Sequence, residues 1–287
     1  MKKLIFPLYL LLVVLTGCQV TPETGHPLLA TSIEPLRYLV EQIAGDRYEV
    51  LSLTPAGVSP ETYEPTPQQL VSLSHAEVYF SIGTLGFEQT KLKKMVEETP
   101  QLQLCQLTDS IELLPASCSH DHGNATNNHA TTDLHIWMSP KNMKRMGKYV
   151  CAELSKRDSA HATYYAERLR KFEAKADSID EVIRTTLKPL ASRTFVIYHP
   201  ALAYFAREYG LTQLSLETDG KEPTPQVMAS LIATCKANRV KTIFVQQEYS
   251  GKMAERLATE LGLQIVRIHP LAHDWDKEIV RIAKSFK

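Results

Sequence analysis

The sequence predicts an α/β protein of two doubly wound lobes joined by one long, rigid helix. Three observations predict it. Short apolar runs alternate with amphipathic stretches of helical length, the pattern of a layered parallel sheet. An unbroken helical pattern of about thirty residues, or about 45 Å, stands at mid-chain. The alternation then restarts. A chain of 287 residues has enough length for one large domain or for two lobes that each bury a core.

The first residues are not part of the fold. Lys2 and Lys3 precede an apolar run, Leu4 to Leu15, that ends in LTGC. A basic start and an apolar stretch too short to span a bilayer comfortably read as a secretory signal, residues 1–17. The cysteine in LTGC resembles the bacterial lipobox, with Cys18 as the lipidated first residue. Two or more acyl chains hold such a protein stably on a membrane. The expected location is therefore extracytoplasmic and membrane-anchored, in a periplasm or at a cell surface. Residues 18–27 read as a polar tether.

The first lobe is expected over 28–157. LLATS leads to PLRYLVEQIAG, YEVLSLTP to PQQLVSLSHA, and EVYFSIG to FEQTKLKKMVEE; LQLCQLT closes this half. The segment SCSHDHGNATNNHATTD is polar and poor in apolar residues, so it reads as a surface loop. The chain recovers at LHIWMSP and a helix, NMKRMGKYVCAELSK. The linker helix is placed at 158–188. Asp158 is its N-cap, and Tyr165, Leu169, Phe172, Ala176, Ile179 and Ile183 step by threes and fours. The second lobe, 189–287, alternates RTFVIYHP, ALAYFAREYG, LTQLSLE, QVMASLIATCKAN, VKTIFVQQE, GKMAERLATELG, LQIVRIHP and DWDKEIVRIAKSF. The two halves are too dissimilar in sequence to read as a repeat.

A formal net charge of zero argues against a nucleic-acid partner. Export places Cys105, Cys118, Cys151 and Cys235 where disulfides form, and four cysteines allow three pairings. No C-x-x-C is present, so a zinc ribbon or a thioredoxin-like site is not expected.

Ligands of open parallel sheets collect beyond the carboxyl ends of the strands. RTFVIY ends in His199-Pro200 and LQIVRI in His269-Pro270. A following proline biases each histidine to extended backbone and leaves its imidazole at the strand mouth. Glu61 lies on the loop after YEVLSLTP, and His135 follows the polar loop. Three imidazoles and one carboxylate match a tetrahedral zinc site in type and number. Taken singly, each of the four is an ordinary loop acid or a hydrogen-bonded histidine; only the set points to metal. Glu248, which also ends a strand-like run, is the rival fourth ligand. His120, His122 and His129 lie on the polar loop as an accessory metal group. His75 and His161 read as surface or packing residues, and His273 as a residue that supports the ligands.

The motifs TSIEPLRYLVEQIAG, LTPAGVSPETYEPTP, DLHIWMSP, YHPALAYFAREYGL and FVQQEYSGKMAERLATELG, in this order, resemble the solute-binding proteins of bacterial zinc and manganese ABC importers, in particular the zinc-uptake branch. The resemblance runs from about Leu29 to the C-terminus. It implies two α/β lobes bridged by a long helix, with metal bound in the cleft between them. His135 and His199 fall on the family's second and third ligand positions. Glu61 stands where the family usually has histidine, and His269 where it often has aspartate. The two departures offset each other and keep one acid and three histidines. Gln246 is neutral where the family is usually acidic. The loop with His120, His122 and His129 resembles the histidine-rich loop of the zinc branch.

The resemblance implies a monomeric, non-enzymatic protein that binds Zn2+, with Mn2+ as the second candidate, and passes it to an ABC permease and its ATPase. Two other classes remain in view. One is a zinc hydrolase with Glu61 as general base; the other is a surface adhesin with a metal-stabilised fold. Histidine ligation predicts affinity that falls as pH drops through about 6.5.

Overall fold

The computed structural model describes residues 25–116, 132–217 and 221–286. The signal segment, Cys18, Cys118, His120, His122 and His129 lie outside the described residues.

The first sheet is built from β1 (Leu28–Thr31), β2 (Glu49–Ser52), β3 (Ala76–Ser81) and β4 (Gln103–Gln106), with helices α1 (Glu34–Ala44), α2 (Pro67–Ser74) and α3 (Lys93–Glu98). Its order is β2-β1-β3-β4, and every pair is parallel. Two long helices follow, α4 (Pro140–Arg157) and α5 (Ala162–Leu187). The second sheet holds β5 (Thr194–Ile197), β6 (Thr212–Ser215), β7 (Thr242–Gln246) and β8 (Gln264–Ile268), with α6 (Ala203–Tyr209), α7 (Pro225–Ala237), α8 (Lys252–Leu261) and α9 (Trp275–Lys284). Its order is β6-β5-β7-β8, again parallel.

Both sheets therefore share one strand order, although the sequence halves show no evident repeat. In each, the order of strands along the sheet reverses between its first and third strands in sequence, and that crevice is where such sheets hold ligands. In the first sheet the crevice is filled by the chain itself. The buried Glu88 carboxylate accepts Gly83 N–H at 2.7 Å, Ile82 N–H and Leu85 N–H at 3.2 Å, and the Tyr79 hydroxyl at 3.1 Å. In the second sheet the crevice faces the other lobe.

Local sequence sets the helix starts. Thr66-Pro67, Ser139-Pro140 and Thr224-Pro225 each place a hydroxyl at the N-cap and proline at the first helical position. The hydroxyl accepts an otherwise unpaired N–H, and proline has none to lose. In α2 the Gln69 side chain also reaches back to the Thr66 N–H, completing a capping box.

The connector α5 has 26 residues, fewer than the sequence pattern suggests, because Ser159–His161 winds as a 3-10 turn. Asp158 pins that turn by accepting from His161 Nδ1 at 2.8 Å and from the Tyr165 hydroxyl at 2.7 Å. The buried face of α5 is Tyr165, Phe172, Ala176, Ile179, Ile183 and Leu187. Phe172 meets Tyr38 of α1 edge to face, and Asp180 accepts from Tyr209 of α6 at 2.9 Å. One helix thus braces both lobes.

The core is continuous across them. Leu29 and Tyr79 of the first lobe, Phe195 and Phe244 of the second, and both tryptophans belong to a single buried cluster. Trp137 Nε1–H donates to Pro270 O, and Trp275 Nε1–H donates to Trp137 O, both at 2.8 Å. A close-packed shared core resists a wide swing of one lobe against the other.

Cys105, Cys151 and Cys235 are each buried and free, so no disulfide joins the described cysteines. Burial pushes the Cys105 and Cys235 thiols up to about 11, which leaves them protonated and unreactive at neutral pH.

Candidate metal centre

Four chain segments meet where the lobes face each other. Glu61 comes from the loop after β2, and Pro60 beside it is buried. The far end of that loop is tied down: the Tyr63 hydroxyl donates to Gln69 Oε1 at 2.7 Å, and Gln69 Nε2–H donates to Leu53 O at 2.7 Å. His135 lies just before α4. His199 follows β5, and Glu248 and Tyr249 follow β7.

Glu61, His135 and His199 offer ligand atoms that all lie within 4.8 Å of one another. His199 Nε2 is 3.2 Å from His135 Nε2 and 3.3 Å from Glu61 Oε1; His135 Nε2 is 3.9 Å from that oxygen. Zinc bonds of about 2.0–2.1 Å in a tetrahedron put ligand atoms about 3.3 Å apart, so the trio spans the face of such a site.

Each imidazole is oriented by a carboxylate. Asp133 Oδ1 accepts from both the backbone N–H and Nδ1 of His135, at 2.8 and 3.0 Å. Glu217 Oε1 lies 3.4 Å from His199 Nδ1. A carboxylate can only accept, so the proton sits on Nδ1 and both Nε2 atoms turn toward the shared space. Asp133 is itself held by the second lobe, because the Tyr204 hydroxyl of α6 donates to Asp133 O at 3.0 Å. The same hydroxyl accepts Leu114 N–H at 3.0 Å.

Gln246 fixes His199 from behind. Its Oε1 accepts the His199 N–H at 3.3 Å, and its Nε2–H donates to the His199 carbonyl at 2.5 Å. The neutral amide is therefore the chemistry this position requires here. An ionised carboxylate would accept the N–H and face the carbonyl without a proton. Gln246→Glu is expected to destabilise the protein by about 1–3 kcal/mol, the cost of an unpaired buried polar group. Gln246 is 2% exposed, so a new carboxyl there resists ionisation. The loss should then deepen as pH rises above the unfolded carboxyl pKa of about 4.3. Urea denaturation from pH 4 to 8 tests this, and a flat, wild-type-like profile would contradict it.

The electrostatics put a proton where a cation would sit. Burial alone lowers the His199 pKa, but hydrogen bonds and charge from Glu217 and Glu61 outweigh it and push it up to about 9. Burial likewise raises Glu61, yet His199 and His135 outweigh it and hold the carboxyl below its usual range. Two Nε2 lone pairs at 3.2 Å repel unless a proton or a metal lies between them. In the metal-free protein the raised His199 pKa adds stability that is complete below about 6.5 and lost as pH rises through about 9. A metal must displace that proton, so affinity should climb about tenfold per pH unit until about 9. The pH window thus lies above the one expected from an unperturbed histidine. Competition titrations against a zinc chelator across pH 6 to 9.5 check it, and a plateau already reached near pH 7 would rule it out.

The space enclosed by these groups is about 30 Å³. That is room for an ion or a water or two. Trp137, Ala201, Glu248, Tyr249, Pro270 and Leu271 are among the other wall residues, and the Tyr249 ring stacks on His199 with centroids 5.5 Å apart.

Not every sequence candidate reaches the cluster. Like Glu248, His269 lies outside the group of converging ligands among the described residues. Its backbone N–H donates to Glu278 Oε1 at 2.7 Å, and its Nε2 is buried without a partner. His273 pairs with Glu41 of α1 at 2.8 Å, away from the ligands it was expected to support. His75 caps α2, and His161 pairs with Asp158. Sequence reasoning passed over Asp133 and Glu217 altogether. Glu217 was findable, because it ends the run LTQLSLE as His199 ends RTFVIY.

The family description "Zinc-uptake complex component A periplasmic" (ZnuA) matches residues 29–279 of this chain. The chain belongs to that family. It is 28% identical over 243 residues to the high-affinity zinc uptake system protein ZnuA of Bacillus subtilis, covering 82% of this chain and 75% of the relative. It is 26% identical over 276 residues to the manganese-binding lipoprotein MntA of Halalkalibacterium halodurans, covering 92% and 88%. Among solved structures, a zinc-bound ZnuA deletion mutant superposes with a TM-score of 0.81 at 34% identity, over 91% of this chain and 96% of that one. The family comprises solute-binding proteins of metal importers, and two parallel-sheet lobes with a bridging helix are its fold.

Proposed function

We propose that this chain captures zinc outside the cytoplasm and hands it to an ABC importer. The observation that carries the reading is the convergence of Glu61, His135 and His199 on one ion-sized space between the lobes. Imidazole-rich donor sets favour zinc; manganese, the second candidate cargo, prefers oxygen. An ion-sized space lined by converging ligand atoms suits the capture of a cation. A permease and a cytoplasmic ATPase are the partners in this reading. Cys18 carries the lipid anchor, residues 18–27 form the tether, and the chain works as a monomer. The loop with His120, His122 and His129 acts as an accessory metal group in this reading.

Metal analysis of the full-length chain purified from zinc-replete cells is the test, beside growth of a deletion strain under zinc limitation. One zinc per chain and zinc-dependent growth rescue are expected. A metal-free protein that restores no growth, or turnover of ester substrates, would overturn the reading.

A further inference from the structure

The trio at the cleft leaves a tetrahedral ion one ligand short, and two residues of the second lobe are candidates to supply it. They sit on adjacent strands, since Gln246 of β7 pairs with Ile268 of β8. Glu248 lies two residues beyond the first and His269 one beyond the second. Each has a buried atom with no hydrogen-bond partner, Glu248 Oε1 and His269 Nε2. We propose that Glu248 supplies the fourth ligand. This rests on the reading of Glu61, His135 and His199 as zinc ligands.

Position separates the two candidates. Glu248 is part of the cavity wall, with Glu61, His135 and His199. It stands between two residues already committed to His199: Gln246, which holds the His199 backbone, and Tyr249, which stacks on the His199 ring. A buried carboxylate oxygen without a donor is unfavourable, and a cation in the adjoining cavity relieves it. Glu248 also has the means to adjust. It follows the end of β7, and its side chain has three rotatable bonds.

His269 is held differently. Pro270 and Leu271, not His269, face the cavity. The backbone around His269 is fixed on both sides: its N–H donates to Glu278, its carbonyl accepts Ala272 N–H at 2.9 Å, and Pro270 O accepts from Trp137.

With Glu248 the donor set becomes two imidazoles and two carboxylates. That set is harder than three imidazoles and one acid, so the margin for zinc over manganese is narrower than the histidine count implies.

The test compares the full-length chain in detergent with Glu248→Gln, Glu248→Ala, His269→Ala and Glu61→Ala. Zinc affinity is read by competition with a fluorescent chelator, and the visible absorption of the cobalt(II)-loaded proteins reports coordination. Loss of a residue that only orients a ligand costs about 10–100-fold in affinity, so loss of Glu248 should cost at least tenfold. Both Glu248 variants should also alter the cobalt spectrum, and His269→Ala should lose less. Glu248→Gln is near-isosteric, and an unchanged melting temperature of the metal-free protein separates ligation from folding. Parent-like affinity and spectrum in Glu248→Gln, with a loss in Glu61→Ala, overturn the proposal and leave the three-residue site intact. Parent-like affinity in Glu61→Ala and Glu248→Gln alike overturns the underlying site.

Discussion

His199→Ala is expected to weaken zinc binding by about 100-fold or more, at least the upper end of what loss of an orienting partner costs. The residue has three roles at once. Its Nε2 is the atom nearest both other ligands, at 3.2 and 3.3 Å. Its ring separates Glu61 from Glu217, which would otherwise face each other across a partly desolvated gap. It also carries the proton that holds the metal-free site together, as its raised pKa indicates. Alanine removes a donor and leaves like charges opposed, so the metal-free protein should also lose stability at neutral pH. Chelator competition and thermal unfolding on the same samples check both effects. Undiminished affinity in this variant would remove His199 from the site.

Trp137→Ala carries the largest expected loss of stability. The side chain is 1% exposed and lies in the core shared by the lobes. Truncating a buried aromatic costs about 3–5 kcal/mol through lost transfer energy and the cavity left behind. The Pro270 carbonyl also loses its donor, for about 1–3 kcal/mol if water does not reach it. Against a typical total of about 5–15 kcal/mol, that threatens the fold itself. Zinc binding should weaken as well, because the ring packs 5.3 Å from the His135 ring. Trp137→Phe keeps most of the packing and loses the N–H, so its cost should be smaller. Urea unfolding of both variants reads the difference. A loss below about 1 kcal/mol for the alanine variant would show that the lobes do not depend on this contact.

Much of the architecture was legible because it is local. Short continuous apolar runs such as TFVI and TIFVQ became β5 and β7, and the steps of three and four from Tyr165 to Ile183 became the buried face of α5. Proline after a hydroxyl residue marked three helix starts. The strand-end rule pointed to His199 because a chemical group at a strand's carboxyl end is positioned by the strand alone. What the pattern missed near the site are Asp133 and Glu217, whose role exists only through a partner. Asp133 orients a ring two residues on, and Glu217 a ring eighteen residues back. The Ser159–His161 turn shortened the connector because Asp158 found partners in His161 and Tyr165 and closed the turn early.

The sequence by itself determined the two layered lobes, the helix that braces them and the kinds of donor available at the strand ends. Tertiary structure alone decided which donors converge. His135 and His199 are 64 residues apart, and the gap between their Nε2 atoms follows from how two sheets sit on one continuous core. The same packing fixed the His269 backbone beside Trp137 and left Glu248 on the cavity wall. Hydrophobic periodicity encodes which face of an element is buried, but the distance between two loops on different lobes depends on every side chain packed between them.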